Sequence, residues 1–530
     1  MMYGKLHGAC LYGIDGVIIE VEVDLANGIP QTSIIGLPDS AIREAIERVR
    51  AAIKNCGFTY PIQRVTINLA PADLRKEGSA FDLAIALGIL MTSGQIQLPS
   101  TGRMMMIGEL SLDGALKPVH GVLSMVDKAK REGFTSVLLP YENAAEACLI
   151  RDIDIYAIKH LKDLCPPNES AVSGDSYRQQ PAIVTSLSHH KAAASPELSS
   201  SDGTSIFEDY EDVIGQLHVK RALTIAAAGM HNILLIGPPG TGKTMLVRRL
   251  PSILPSLSEQ ESLEVTKIFS AAGKLKEANS SLLRTRPFRA PHHTISAGGL
   301  IGGGTIPKPG EVSLAHRGIL FLDELPEFSR NVLEVLRQPL EERAVTISRA
   351  RAVFSFPAHF MLAASMNPCP CGYLGSDHPK QRCTCSPSRI AGYRAKISGP
   401  LLDRIDLQVD VPQPKEWSHQ DKPLSSAEMK QQVLAAQAVQ AERYKGLPLI
   451  WNSELTGSLL RRYTSLTPEA AKLLSHTFEA LGLSMRSHDR ILKLARTIAD
   501  LAGVSQITME HLAEAIQYRQ LDRRTSDLIG

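Results

Sequence analysis

The order of apolar and polar positions divides the chain into stretches of different character. GVIIEVEVDL (16–25) alternates with period two, as a half-buried strand does. PDSAIREAIERVRAAIKNCGF opens on Pro38 and Asp39, a helix-start pair. It carries Ile42, Ile46, Val49 and Ile53 at helical spacing and closes at Gly57. RVTINLAP reads as a further strand, FDLAIALGILMTSG as a buried helix and GFTSVLLP as a later strand. Residues 1–164 therefore predict a mixed α/β module. From Cys165 to Ser205 the pattern fades into a stretch rich in Ser, Pro, Ala and Gly. Such a stretch buries too little apolar surface to offset its ordering entropy, so 165–205 is expected to be a flexible linker.

A second α/β module is predicted over 206–412. It opens with a helix from Gln216 to Gly229, followed by the strand NILLIG. RGILFLDEL (317–325) and MLAASMNP (361–368) are continuous apolar runs, the pattern of strands buried on both faces of a parallel sheet. Residues 413–530 predict an all-helical part. In SMRSHDRILKLARTIADLAG, Ile491, Leu494, Ala495 and Ile498 form one stripe, with Arg486, Arg490, Lys493 and Arg496 placed elsewhere.

Length and composition fit this division. The chain has 530 residues, 44% hydrophobic and 21% charged, which suits several globular domains and excludes a disordered or collagen-like chain. No run reaches the roughly 18 apolar residues of a membrane helix, and no long apolar core precedes Asp15. The expectation is a cytoplasmic protein without a membrane partner. The net charge is only +2, so any nucleic-acid contact must come from a local basic patch.

Candidate chemistry concentrates in the second module. Gly237, Pro238, Pro239, Gly240, Thr241, Gly242, Lys243 and Thr244 match G-x-x-x-x-G-K-[ST] between a strand and a helix; with Met245 they form the expected nucleotide-binding set. Backbone N–H groups of such a loop close around phosphates. Lys243 is expected to reach the β- and γ-phosphates and Thr244 to ligate Mg²⁺. At the end of RGILFLDEL, Asp323 is expected to hold Mg²⁺ through water, and Glu324 to orient the attacking water. Asn367, ending the next strand, could sense the γ-phosphate. Arg404, between Asp403 and Asp406, is either part of a surface salt-bridge cluster or an arginine finger that completes a neighbour's site.

Together these motifs resemble an AAA+ ATPase, with Walker A at 237–244, Walker B at 318–324, sensor 1 at Asn367 and LLDRID around Arg404. The long segment FRAPHHTISAGGLIGGGTIPKPGEVSLAHRG is similar to the magnesium-chelatase-like branch. With the N-terminal module included, nearly the whole chain resembles the YifB/ComM family. The resemblance implies an ATP- and Mg²⁺-dependent hexameric helicase. It would drive branch migration during homologous recombination in natural transformation, acting on single-stranded, branched and recombinase-coated DNA. It implies Arg404 as the finger acting in trans, and Arg486 at the sensor-2 position with Arg490 as the alternative. It also makes VTISRARAVFSF a pore hairpin. Arg349 and Arg351 near its tip suit sequence-independent phosphate tracking.

Three further features carry expectations. PADLRKEGSAFDLAIALGIL resembles the proteolytic domain of Lon, with Ser79 at the nucleophile position. That chemistry needs a lysine base, and the matching position holds Leu123, with Lys128 and Lys130 more than a helical turn away. No peptidase activity is expected, and the competing functional reading is a protein-remodelling ATPase related to Lon. Cys369, Cys371, Cys383 and Cys385 form C-x-C…C-x-C, which suits tetrahedral Zn²⁺, with His378 able to replace one thiol; a redox pair and unligated thiols are the alternatives. His292, His293 and His316 do not make a standard zinc spacing and read as polar contacts. The stretch Gly298–Gly304 lacks the Lys-Ser/Thr of a second nucleotide loop and is expected to be an insert that touches DNA or a neighbouring subunit.

Overall fold

A computed structural model describes residues 2–74, 76, 78–98, 103–164, 208–275, 281–304, 307–349, 352–375, 382–413, 423–481 and 484–519, and the backbone of 182–183 and 189–190. Two compact units emerge: Met1–Ser201 with Ser262–Leu283, and Asp202–Glu261 with Arg284–Gly530. Among the described residues, no helix is long and apolar enough to cross a membrane.

The first unit is built on an eight-stranded mixed sheet. Its centre is an antiparallel pair, Met2–Tyr12 and Asp15–Ala26, in register from Met2 opposite Leu25 to Tyr12 opposite Asp15. The second strand of the pair is the one the alternation predicts. The first, MYGKLHGACLY, lacks clean alternation and becomes a strand because it has partners on both sides, Asp15–Ala26 and Met104–Met106. The helix Ser40–Asn55 begins where expected: the Asp39 side chain accepts from the Ile42 N–H at 2.8 Å, and Ile42, Val49 and Ile53 are buried. The apolar run at 82–92 forms a helix buried over almost its whole surface. The stretch expected to be a linker lies outside the described residues. The exceptions are Ala182–Ile183, whose backbone pairs with 96–97, and His189–His190, whose backbone pairs with 155–156.

One segment departs from chain order. Ser262–Leu283, between the two Walker motifs, belongs to the first unit. Lys267 pairs with Asp127 at 2.5 Å, Ser270 bonds Glu146, and Leu263 packs on the cluster around Leu123 and Val126. Within the apolar pattern this segment looks like any amphipathic helix; only its partners show where it belongs.

The second unit holds a five-stranded parallel sheet, ordered Phe288–Arg289, Ile319–Leu322, Met361–Met366, Ile233–Ile236, Leu407–Asp410. The three central strands are fully buried, as their unbroken apolar runs require. The described elements from 426 to 517 are helices, and they share one hydrophobic cluster with the sheet. In the helix Met485–Leu501, the stripe Ile491, Leu494, Ala495 and Ile498 is buried as expected. Arg496 is buried too, contrary to its expected place off the stripe. Asp500 and the carbonyls of Val504 and Ser505 absorb its charge.

Candidate nucleotide site

Strand order decides which motifs meet. The Walker A strand Ile233–Ile236 and the Walker B strand Ile319–Leu322 are not neighbours; Met361–Met366 runs between them, parallel to both. All three release their chains at the same sheet edge, so Asn367 emerges between Lys243 and Asp323. Open parallel sheets bind ligands at this edge.

Lys243 is almost fully buried, and its ammonium donates to Gly237 O at 2.7 Å, Pro238 O at 2.8 Å and Asn367 Oδ1 at 3.2 Å. All three partners are neutral oxygens. Burial pulls its pKa below the ordinary lysine range, with Asp323 and Glu324 pulling the other way. A cation held by neutral oxygens at a buried loop is poised for an anion. Gly242, at φ +84°, turns the loop into the helix that starts at Lys243, a conformation that favours glycine. Pro239, Gly240 and Met245 are exposed around the loop, whereas Thr241 is buried and donates to Pro238 O at 3.0 Å.

Thr244 Oγ1 donates to Asp323 Oδ2 at 2.7 Å, and Ser365 holds the other oxygen of the same carboxylate. A hydroxyl and a fixed carboxylate in contact are a donor set that suits Mg²⁺ beside a triphosphate. Glu324 lies in the left-handed region at φ 53° with its backbone N–H on Ser365 Oγ at 3.3 Å, and its side chain is exposed. The turn thus faces the carboxylate towards solvent, where an attacking water would arrive. Ser365 was not singled out in the sequence. It sits at the inner end of an apolar strand, and only the adjacency of two strands reveals its role as the clamp on Asp323.

The arginines assemble elsewhere. Arg404 lies three residues before Leu407–Asp410, whose register sets Leu407 against Ile233 and Asp410 against Ile236. Arg404 is therefore at the strand-entry edge and the phosphate loop at the strand-exit edge, roughly four residues or about 13 Å of strand apart. Its own chain's nucleotide is out of its reach. Arg404 is 5% exposed and forms an ion pair, with Glu341 rather than Asp403 or Asp406, and its buried Nε has no acceptor. Burial lowers its pKa, and Arg337, Arg486 and Arg490 add like charge. Arg490 bonds Asp406 and donates to Arg404 O at 3.2 Å. Burial disfavours the charged Asp406 carboxylate, yet Arg490 and His231 hold its pKa well below the usual range. Arg490, the alternative sensor 2, is thus occupied inside the unit, while Arg486 is exposed.

The hairpin expected at 345–356 forms from Ala344–Arg349 and Ala352–Pro357. Arg349 is exposed and donates to Gly304 O at 2.8 Å; Arg351 lies outside the described residues. That bond places the hairpin beside a second one, Gly302–Gly303 with Lys308–Pro309, made by the Gly-rich stretch. His292 and His293 stack with ring centres 4.0 Å apart, and His316 accepts from the His359 N–H at 3.1 Å.

The four cysteine sulfurs lie within 4.8 Å of one another. Cys369–Cys371 is 3.3 Å, Cys371–Cys383 3.6 Å and Cys369–Cys383 3.7 Å. This arrangement is compatible with a bound metal ion. His378 lies outside the described residues.

In the first unit, Ser79 donates to Glu109. Leu123 is fully buried in an apolar cluster with Ala80, Val122 and Val126. Lys128 pairs with Glu132 at 2.7 Å and Lys130 with Asp152 at 3.0 Å.

Three family models match in series: "Subunit ChlI of Mg-chelatase" over residues 21–143, "Magnesium chelatase, subunit ChlI" over 209–419, and the ChlI C-terminal model over 423–519. Competence protein ComM of Haemophilus influenzae is 43% identical over 517 residues, covering 96% of each chain. Lon protease 2 of Bacillus subtilis is 28% identical over 192 residues, covering 31% of this chain and 34% of that one. The magnesium-chelatase 38 kDa subunit of Rhodobacter capsulatus is 24% identical over 243 residues, covering 42% of this chain and 61% of that one.

Proposed function

Since the chain belongs to the YifB/ComM family of magnesium-chelatase-like AAA+ proteins, we propose that it is a ring-forming ATPase that moves DNA, promoting branch migration in homologous recombination during DNA uptake. The observation that carries this reading is the split of the ATPase residues between two edges of one sheet. Lys243, Thr244, Asp323, Glu324 and Asn367 gather at one edge, and Arg404 stands at the other. One chain cannot close such a site. A second copy can, by presenting its strand-entry edge to the first copy's phosphate loop, and repetition of that heterologous contact generates a ring. The family resemblance makes the ring a hexamer.

In this reading Lys243 and the loop amides hold the β- and γ-phosphates of ATP, and Thr244 and Asp323 hold Mg²⁺. The metal supplies neutralisation of the phosphate charge. Glu324 orients the water, Asn367 ties its position to Lys243, and Arg404 of the adjacent copy meets the charge that develops on the transferred phosphoryl group. Arg486, at the sensor-2 position by the resemblance, is close enough to Arg404 for its charge to lower that pKa, and it serves the same neighbouring site. The Arg349 hairpin and the Gly-rich hairpin beside it provide the sequence-independent contact to single-stranded and branched DNA, in keeping with a net charge that is small overall. The four thiols hold a structural Zn²⁺. The Lon-like unit lacks the lysine base and contributes no peptidase chemistry.

The test is ATP turnover without DNA, with single-stranded DNA and with a branched three-strand substrate, using Lys243→Ala as the blank. Stimulation by DNA together with strand exchange is the expected result. Turnover indifferent to DNA would transfer support to protein remodelling, the reading favoured by the 28% identity of part of the chain to Lon protease 2.

A further inference from the structure

The four-cysteine loop grows directly out of the catalytic edge. Cys369 follows Asn367 by two residues and is fully buried. Gly372, two residues on from Pro370, takes φ +84°, and a Cβ built on it would lie 2.6 Å from Pro239 of the phosphate loop and 3.9 Å from Asn367. The loop therefore rests on Walker A and on the sensor together. At its other end, Cys385 is followed at once by Ser386, whose side chain caps the helix Pro387–Arg394. That helix returns to the same place. Arg394 donates to Pro368 O at 3.4 Å, and the buried Tyr393 hydroxyl hydrogen-bonds the Asn367 backbone, with its pKa pushed up to about 12 by burial and by Glu327.

So both arms leaving the cysteine cluster press on the residues that hold the γ-phosphate. What pins the arms together is the cluster. Its sulfurs are free thiols, and their spacings of 3.3–3.7 Å are too long for a bond between any of these pairs. Four sulfurs at about 2.3 Å from a tetrahedral Zn²⁺ stand about 3.8 Å apart, close to the separations found. Four soft thiolates with no open position select zinc over Mg²⁺ or Ca²⁺, and thiolates this close repel one another without a cation among them.

We propose that Zn²⁺ on Cys369, Cys371, Cys383 and Cys385 is a clamp on hydrolysis: it holds Gly372 against Pro239 and Tyr393 against Asn367, so that the protein turns over ATP only when the zinc is in place. The proposal rests on the ATPase reading above. It separates two properties of one site. Nucleotide affinity comes mainly from the loop amides and Lys243, which belong to the phosphate loop itself. Hydrolysis depends on Asn367 keeping its position, and that depends on the clamp.

The experiment uses the full chain produced in zinc-supplemented medium. Zinc per chain is measured by plasma emission, binding of a fluorescent ATP analogue by titration, and turnover by phosphate release, before and after stripping with a mercurial and a chelator. Expected is about one zinc per chain, a loss of turnover of at least about tenfold on stripping with affinity changed by less than about threefold, and recovery on adding zinc back. Cobalt added instead should give the visible bands of a tetrahedral tetrathiolate site. Gly372→Ala is the second variant, because it leaves all four thiols untouched; it should keep its zinc and still lose turnover. Zinc far below one per chain, or stripped protein that hydrolyses ATP at the full rate, overturns the clamp and leaves the ATPase reading standing. Zinc-loaded protein that neither binds nor hydrolyses ATP overturns both.

Discussion

Around Lys243 the ammonium finds polar neighbours, whereas Leu123, which the resemblance to Lon sets at the position of the lysine base, lies in an apolar cluster. Both regions carry the residue pattern of a hydrolase, and they teach different things about what a pattern means. At the phosphate loop, a buried ammonium is tolerated because backbone carbonyls and Asn367 surround it at 2.7–3.2 Å. At Ser79, the neighbourhood of Leu123 is a closed apolar cluster that also holds Ala80 and Val122. A lysine placed there would carry its charge into that cluster, beside which the Glu146 carboxylate accepts from the Leu123 N–H at 3.1 Å. Lys128 and Lys130 pair with Glu132 and Asp152 at the surface, and the buried Lys76 donates to Pro71 O.

The difference can be attacked from both sides. The largest effect is expected at Arg404. Arg404→Ala should lower turnover about 10³-fold, the scale of an arginine finger, while ATP binding persists; Glu341, exposed, is left unpaired at little cost. Full turnover in that variant, measured at a concentration where the ring forms, would remove the trans site. Next is Glu324→Gln, for which a loss of about 10²-fold or more in turnover with retained nucleotide is expected, read by phosphate release against filter binding. Leu123→Lys reintroduces the missing base into the apolar cluster. It should destabilise the first unit by several kcal/mol, on the order of the cost of a buried unpaired charge, and calorimetry would register this as an early transition. An unshifted melt, joined by casein cleavage, would show that the protease site is intact after all. Arg349→Ala should weaken DNA binding modestly and reduce the salt slope by about one, seen in anisotropy titrations over a range of salt. The smallest effect belongs to Ser79→Ala: neither ATP turnover nor the absence of peptide hydrolysis should change.

Much of the site is legible in the chain because its chemistry is local. A phosphate loop must be eight contiguous residues between a strand and a helix, and a Walker B carboxylate must end an apolar run, so 237–244 and Asp323 announce themselves. The Asp39 helix start and the 491–498 stripe are legible for the same reason: each is set by neighbours within a turn or two. What escaped reading depends on partners far away in sequence. Ser365 clamps Asp323 across 42 residues. Arg496 is buried because Asp500 and two loop carbonyls neutralise it. The strand Met2–Tyr12 has no alternation of its own and is a strand by virtue of its neighbours.

The sequence by itself determined that this is a phosphate-loop protein of mixed α/β build, with a Lon-like first module, a helical end and four thiols able to meet. Short-range geometry suffices for these, except for the Lon-like reading of the first module, which rests on resemblance. Only the tertiary structure decided three other matters. It separated Arg404 from the phosphate loop by the length of a strand. It drew Ser262–Leu283 out of the ATPase segment into the first unit. It laid the cysteine loop on Pro239 and Asn367. The physical reason is common to all three: strand order and close packing fix which surfaces touch, and no local propensity carries that information.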